Sequence, residues 1–220
     1  MERYPLTLEI AGPFAMFSRP DSGGTPSSYP IPTQSAAKGL FESIACLSSG
    51  DAWIEPVRVE VCKPVGQCDG VISFQRYATN YGGPLRKTNQ LSSNSSYQLF
   101  ATVLVNVCYR LHAQIKSGKE PWKRGENPRH HLQELFERRL KQGRCHRTPC
   151  LGWSEFTASY WGPFRDGLEG RPLVTEVDES IDMEIPSLLQ RVFSQPTHGV
   201  FQPVFKQNAK IIKGGLSYVE

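Results

Sequence analysis

The run "YQLFATVLVNVCYRLHAQI", Tyr97–Ile115, is β-branched and long enough for a substantial strand, so the chain must build a sheet around it. Alternation predicts two earlier strands. One is "YPLTLEIAGPFAMF", with Gly12-Pro13 as a bulge or break; the other is "WIEPVRVEVCKPV", with Val57, Val59 and Val61 on one face. Between them "TQSAAKGLFESIACL" reads as a helix capped by Thr33 or Ser35, with Ala36, Ala37, Leu40, Phe41 and Ile44 on its apolar side. Asn127-Pro128 starts a second helix, and "SEFTASYW" follows as a strand. The order β-α-β-β-α-β is the ferredoxin-like pattern shared by RNA-recognition domains. The expected fold is therefore α+β: a ferredoxin-like, RRM-like core over residues 1–161, with a long insertion at about 66–96. A β-rich extension over 162–220 is expected after it, from "LVTEVDES", "GVFQPVF" and "GGLSYVE", with one helical turn at "SLLQRVF".

Charge narrows the function. Between Lys116 and Arg147 there are ten Lys/Arg against four Asp/Glu, a local excess larger than the +4 of the whole chain. Such a segment is the electrostatic footprint of a polyanion, or else a solvated helix face. No apolar run approaches the roughly 18 residues of a membrane span, and "MERYPLTLEI" lacks a signal-peptide pattern, so a cytoplasmic protein is expected. Cys62-x5-Cys68 and Cys145-x4-Cys150 miss the tight pairs of zinc sites, so no metal and no cofactor are expected.

The basic segment centres on "NPRHHLQELFERRLKQG". At about 100° per residue, Leu132, Leu135, Phe136 and Leu140 share one face. His130 falls near Glu134 and Glu137, whereas His131 falls on the flank of Arg138. The positive end of the helix dipole disfavours imidazolium, so His131 is the better base. A neutral histidine beside a phosphate suits metal-independent RNA cleavage, in which a ribose 2′-hydroxyl attacks the adjacent phosphorus. Phosphate binding without chemistry fits these residues equally well. Arg139 lies near the apolar face, so it reaches round the end of the core, meets a partner or enters a buried ion pair. Trp153 and Phe74 are stacking candidates or core residues.

Several segments in order resemble one family. "GRCHRTPCLGWSEFTASY" is similar to the "GQCFxxPYLGCREFxAxF" signature of the Cas-five family of type I-C CRISPR–Cas systems. "GPFAMFSRP…SYPIPTQSAAKGLFESI" resembles its "GxxAxFxRPE…SYxVxTPSAARGILEAI", "LVNVCYRLHAQI" its "LKDVxYxIEAHF" and "LFERRLKQG" its "MFxRRxxxGQ". The matches cover most of the first 160 residues.

The resemblance implies a ferredoxin-like core with a β-rich extension. It implies a subunit of the RNA-guided surveillance complex Cascade that binds and caps the repeat-derived 5′ handle of the crRNA. It also implies contacts to the repeating backbone (Cas-seven-like) and large (Cas-eight-like) subunits, and to target DNA only through the complex. In type I-C the family commonly cuts precursor crRNA without metal, using a tyrosine, a lysine and a histidine. Ala45 stands at the tyrosine's position, and His130-His131 stand at the Lys-His pair when counted from Asn127. His131 and His130 are therefore the catalytic candidates, with Arg129 as a substitute for the missing cation. Arg19, Lys38, Arg76, Arg129, Arg138, Arg139 and Arg144 are the RNA-contact candidates. The alternatives are a handle binder that does not cut, or a ferredoxin-like interaction scaffold that does not bind RNA.

Overall fold

The computed structural model describes residues 4–63, 72–81, 97–118, 127–166, 174–196 and 199–219. Its elements are β1 (Pro5–Ala15), α1 (Gln34–Ile44), β2 (Ala52–Val61), β3 (Ser73–Tyr81), β4 (Tyr97–Ser117), α2 (Pro128–Gln142), β5 (Tyr160–Gly162), β6 (Met183–Phe193), β7 (Phe201–Ile211) and β8 (Gly215–Ser217). The chain is mixed α and β, rich in strand and with few helices. Its main sheet runs β5-β1-β4-β2-β8, with β3 also on β4 and every pairing antiparallel. A separate hairpin joins β6 to β7.

The long β-branched run becomes the central strand. β4 pairs with β1 on one side, and with β2 and then β3 on the other; in its second half Leu111, Ala113 and Ile115 are buried while Arg110, His112, Gln114 and Lys116 alternate onto the other face. The pairing of β1 with β4 skips Pro13, opposite Asn106 at φ 51°, so the expected break is a local irregularity inside a continuous strand. In β2 the structure departs from expectation. Proline has no N–H for the ladder, and the register shifts between Pro56 and Arg58. Val57 is the extra residue, so it does not share the buried face of Val59 and Val61.

Three further expectations change. β3 is a strand that periodicity had not separated from the insertion. The rest of the 66–96 stretch, including Arg86 and Lys87, lies outside the described residues. The segment "SEFTASYW" is mostly irregular, because its own short-range bonds replace a ladder: Phe156 N–H donates to Trp153 O at 3.0 Å and Leu151 N–H to Phe156 O at 2.7 Å. Only Tyr160–Gly162 pairs with β1. "SLLQRVF" is extended within β6, since its neighbour β7 supplies the hydrogen bonds a helical turn would have made internally.

α1 and α2 pack over the sheet through Leu40, Phe41, Leu132 and Phe136, all buried, with the Phe41 and Phe136 rings 5.7 Å apart. Each such side chain contributes about 1.5–3 kcal/mol by leaving water. On the opposite face of β1 sits Glu9, fully buried. It accepts from Thr175 Oγ1 at 2.7 Å, the Arg165 backbone N–H at 3.0 Å and Arg165 Nε at 2.5 Å, with Arg110 Nε at 3.4 Å. This cluster ties the 162–220 segment to the sheet. Val192 N–H to Ser35 Oγ (3.1 Å) and Tyr218 Oη to Pro32 O (2.5 Å) tie it to α1 and to the segment leading into that helix.

Candidate functional site

The start of α2 is built as its local sequence dictates. Asn127 caps it, its side chain accepting from Arg129 N–H at 3.1 Å, and Pro128 opens the first turn. Tyr4 Oη accepts from Asn127 Nδ2 at 2.8 Å, and its ring lies 5.4 Å under the Arg129 guanidinium. His131 N–H closes the first helical bond to Asn127 O at 3.0 Å. Proline has no N–H and the cap takes that of Arg129. Among the described residues only the N–H of His130 is then left without an acceptor in this turn, so anion binding here rests on side chains.

The two histidines separate as their neighbours suggest. His130 Nδ1 lies 3.5 Å from Glu134 across an i,i+4 step, both exposed. The His131 imidazole is exposed and has no partner among the described residues. Seven residues on, Arg138 occupies the same flank. Arg129 lies about 160° round the helix and faces Tyr4 instead.

The C-terminus of α2 meets that of α1. Gly143 caps α2 at φ 63°, and Arg144 N–H donates back to Arg139 O at 2.9 Å. The next residues then close α1: His146 and Arg147 N–H groups both donate to Ser43 O at 2.8 Å, and Arg139 Nη1 donates to Ile44 O at 2.7 Å. Of the three fates open to Arg139, reaching round the core is the one found. Ala45, the residue after α1, is fully buried beneath this junction.

Three candidate cations converge there. Arg138, Arg139 and Arg144 line one open cleft of about 660 Å³ with Leu135, Gln142 and Cys145. His131 lies one turn before Leu135 on the same flank. The other candidates are elsewhere. Arg19 is held by Asp21 at 2.7 Å, and its bidentate hydrogen bonds keep the Asp21 carboxyl below its usual value. Arg76 stacks on Phe100 of the adjacent strand at 3.9 Å. Lys38 lies on α1, 3.4 Å from Glu42 and donating to Pro196 O. Burial pushes the Glu42 carboxyl up against the pull of that lysine. Trp153 stacks on Phe156 and donates to Ser18, whereas Phe74 is exposed. The sequence pattern missed that 143–147 folds back onto α1, since a loop's partner leaves no periodic signal. Among the described residues no group of three or more His, Cys, Asp or Glu is placed to hold a metal, and no helix is long and apolar enough to cross a membrane.

Residues 5–196 match the family described as CRISPR-associated protein (Cas_Cas5). The CRISPR pre-crRNA endoribonuclease Cas5d of Thermus thermophilus is 30% identical over 218 residues, spanning 96% of this chain and 90% of that protein. Among solved structures, a CRISPR-associated protein superposes with a TM-score of 0.64 at 16% identity, covering 99% of this chain and 92% of its own. A chain of a CRISPR RNA-guided surveillance complex gives 0.53 at 13% identity, covering 97% and 91%.

Proposed function

The chain belongs to the CRISPR-associated Cas5 family, of type I-C, and from that premise we propose that it binds and caps the crRNA 5′ handle within Cascade and cuts the precursor RNA without a metal. The cleft on α2 carries this reading: three arginines from one helix and its exit loop line it, and an unpartnered histidine precedes it on the same flank. The name of the Thermus relative, a pre-crRNA endoribonuclease, supports the cutting.

In this reading Arg138 and Arg144 hold RNA phosphate, and Arg139 divides its donors between Ile44 O and the cleft. His131 takes the proton of a ribose 2′-hydroxyl. The oxygen attacks the adjacent phosphorus, the P–O5′ bond breaks, the leaving 5′-oxygen takes a proton from water, and the products are a 2′,3′-cyclic phosphate and a 5′-hydroxyl. Arg138, two turns on along the same flank, stabilises the charge that develops on the phosphate oxygens, and Arg144 holds a neighbouring phosphate. His130, in the lysine's place, is engaged by Glu134, and Arg129 supports the helix start rather than the cleft. Arg19, Arg76 and Lys38 serve as outlying contacts along the RNA. The sheet order with two covering helices supports a ferredoxin-like core over 1–161, with 162–220 as its extension. The backbone and large subunits are the protein partners in this reading, and target DNA is met only through the complex.

The test is repeat RNA incubated with purified protein in EDTA. Wild type and His130→Ala should yield the cyclic phosphate, and His131→Ala should not. No cleavage by wild type under any condition leaves a handle binder that does not cut. Binding that does not weaken with salt removes the RNA reading itself.

A further inference from the structure

At the opposite end of α1 from the cleft, a second cavity of about 80 Å³ opens between the helix N-terminus, β2 and the end of β6. Gln34, Lys38, Trp53, Arg191, Phe193 and Pro196 are among the residues lining it. Three buried polar atoms of this lining have no hydrogen-bond partner among the described residues: Oε1 of Gln34, Nε1 of Trp53 and Oε2 of Glu55, of which only the last has an ion-pair partner, Lys116. Gln34 is only 7% exposed. Its Nε2 donates to Pro56 O at 3.0 Å, which fixes which amide atom is left over. An acceptor and a donor left unpaired in one small cavity are a standing cost, removed by a ligand that presents a donor beside an acceptor.

The remaining walls say what kind of ligand that is. Trp53 and Phe193 are aromatic, and Arg191 brings positive charge to the same lining, where Lys38 is already engaged by Glu42 and Pro196 O. Glu55, also in the lining, is neutralised by its ion pair with Lys116. Aromatic walls, a buried hydrogen-bonding pair and the Arg191 cation suit a nucleotide with its base inside and its phosphate outside. The cavity is open on one side, so a base can enter it from a strand lying outside.

We propose that this cavity receives a single base splayed from the bound RNA. Gln34 Oε1 accepts from the base N–H or amine, and Trp53 Nε1 donates to the neighbouring carbonyl or ring nitrogen. The proposal rests on the RNA-binding reading above and extends it. An 11-residue helix is about 16 Å long, so a strand held at the arginine cleft runs along α1 to reach the cavity. β6 and the loop after it complete the wall, which makes the C-terminal extension part of RNA recognition and not only a brace.

The test is a scan of repeat RNAs in which one base at a time is removed to leave an abasic position. Affinity is measured for wild type, Gln34→Leu and Trp53→Phe. One position is expected whose removal weakens wild-type binding at least fivefold and adds no further loss in either variant. Trp53→Phe keeps one aromatic ring in the wall and deletes the N–H donor with the pyrrole ring that carries it, so it carries the test if Gln34→Leu fails to fold. Equal losses in wild type and both variants at every position overturn the pocket while leaving RNA binding intact. Failure of wild type to bind any repeat RNA overturns the broader reading, and the pocket with it.

Discussion

Replacing Arg139 with methionine keeps the aliphatic stem against the core and deletes only the guanidinium that donates to Ile44 O at 2.7 Å. Hydrogen bonds to charged groups contribute about 1.5–3 kcal/mol net. Arg139 is half-buried, so the lower part of that range applies, about 1.5–2 kcal/mol. Unfolding entropy of about 2.1 cal/mol/K per residue gives roughly 0.46 kcal/mol/K for 220 residues, and hence a Tm lowered by about 3–4 °C. Scanning calorimetry on the RNA-free protein reads this directly. The exposed Arg138 and Arg144 provide the contrast. Each methionine variant should melt within about 1 °C of wild type, since surface changes stay within about 0.5 kcal/mol. Each should also flatten the dependence of log K on log salt for repeat RNA by about 0.7. If Arg139→Met melts with wild type while Arg138→Met or Arg144→Met loses several degrees, the division between clamp and RNA contact is wrong.

Three other outcomes are expected. Desolvation pushes the Glu9 carboxyl up, but bonds from Thr175 and Arg165 and the charge of Arg165 outweigh it and leave it below its ordinary value. Its stabilisation is therefore present above the unfolded value of about 4.3 and lost as pH falls through the lower folded value. Glu9→Gln should cost about 3–5 kcal/mol at pH 7 in urea melts and flatten the stability loss below pH 4. Ala45→Tyr places a phenol where no surface is exposed, so it should destabilise by about 1–3 kcal/mol in the same melts. Gly152→Ala should abolish soluble expression or lower Tm severely, because Gly152 sits at φ 93° and an added Cβ would fall 1.8 Å from Met16 O.

Where the determinant was local, the sequence was readable. Asn127-Pro128 starts α2 and Thr33 caps α1 because a cap needs only residues two or three positions away. His130 meets Glu134 for the same reason, one turn being a property of any helix. The position of Arg139 on the wheel showed that it could not point freely to water. Its partner was invisible, because Ile44 lies 95 residues earlier and only packing brings it near. β3 and the bulge at Val57 were missed because strand boundaries and register are set by the neighbouring strand, not by the strand's own alternation.

The sequence by itself determined the framework of this protein: the order of its main strands and helices, the basic segment, the two helix starts and the inequivalence of the two histidines. These follow from periodicity, capping and charge, all of which act within a turn or two of chain. Tertiary structure alone decided which cations share a cleft, that Ala45 is sealed beneath the junction of α1 and α2, and that Gln34 and Trp53 leave an acceptor and a donor unpaired in one cavity. Each depends on segments far apart in sequence meeting across a sheet, and no local pattern records which distant backbone or side chain will complete a hydrogen bond.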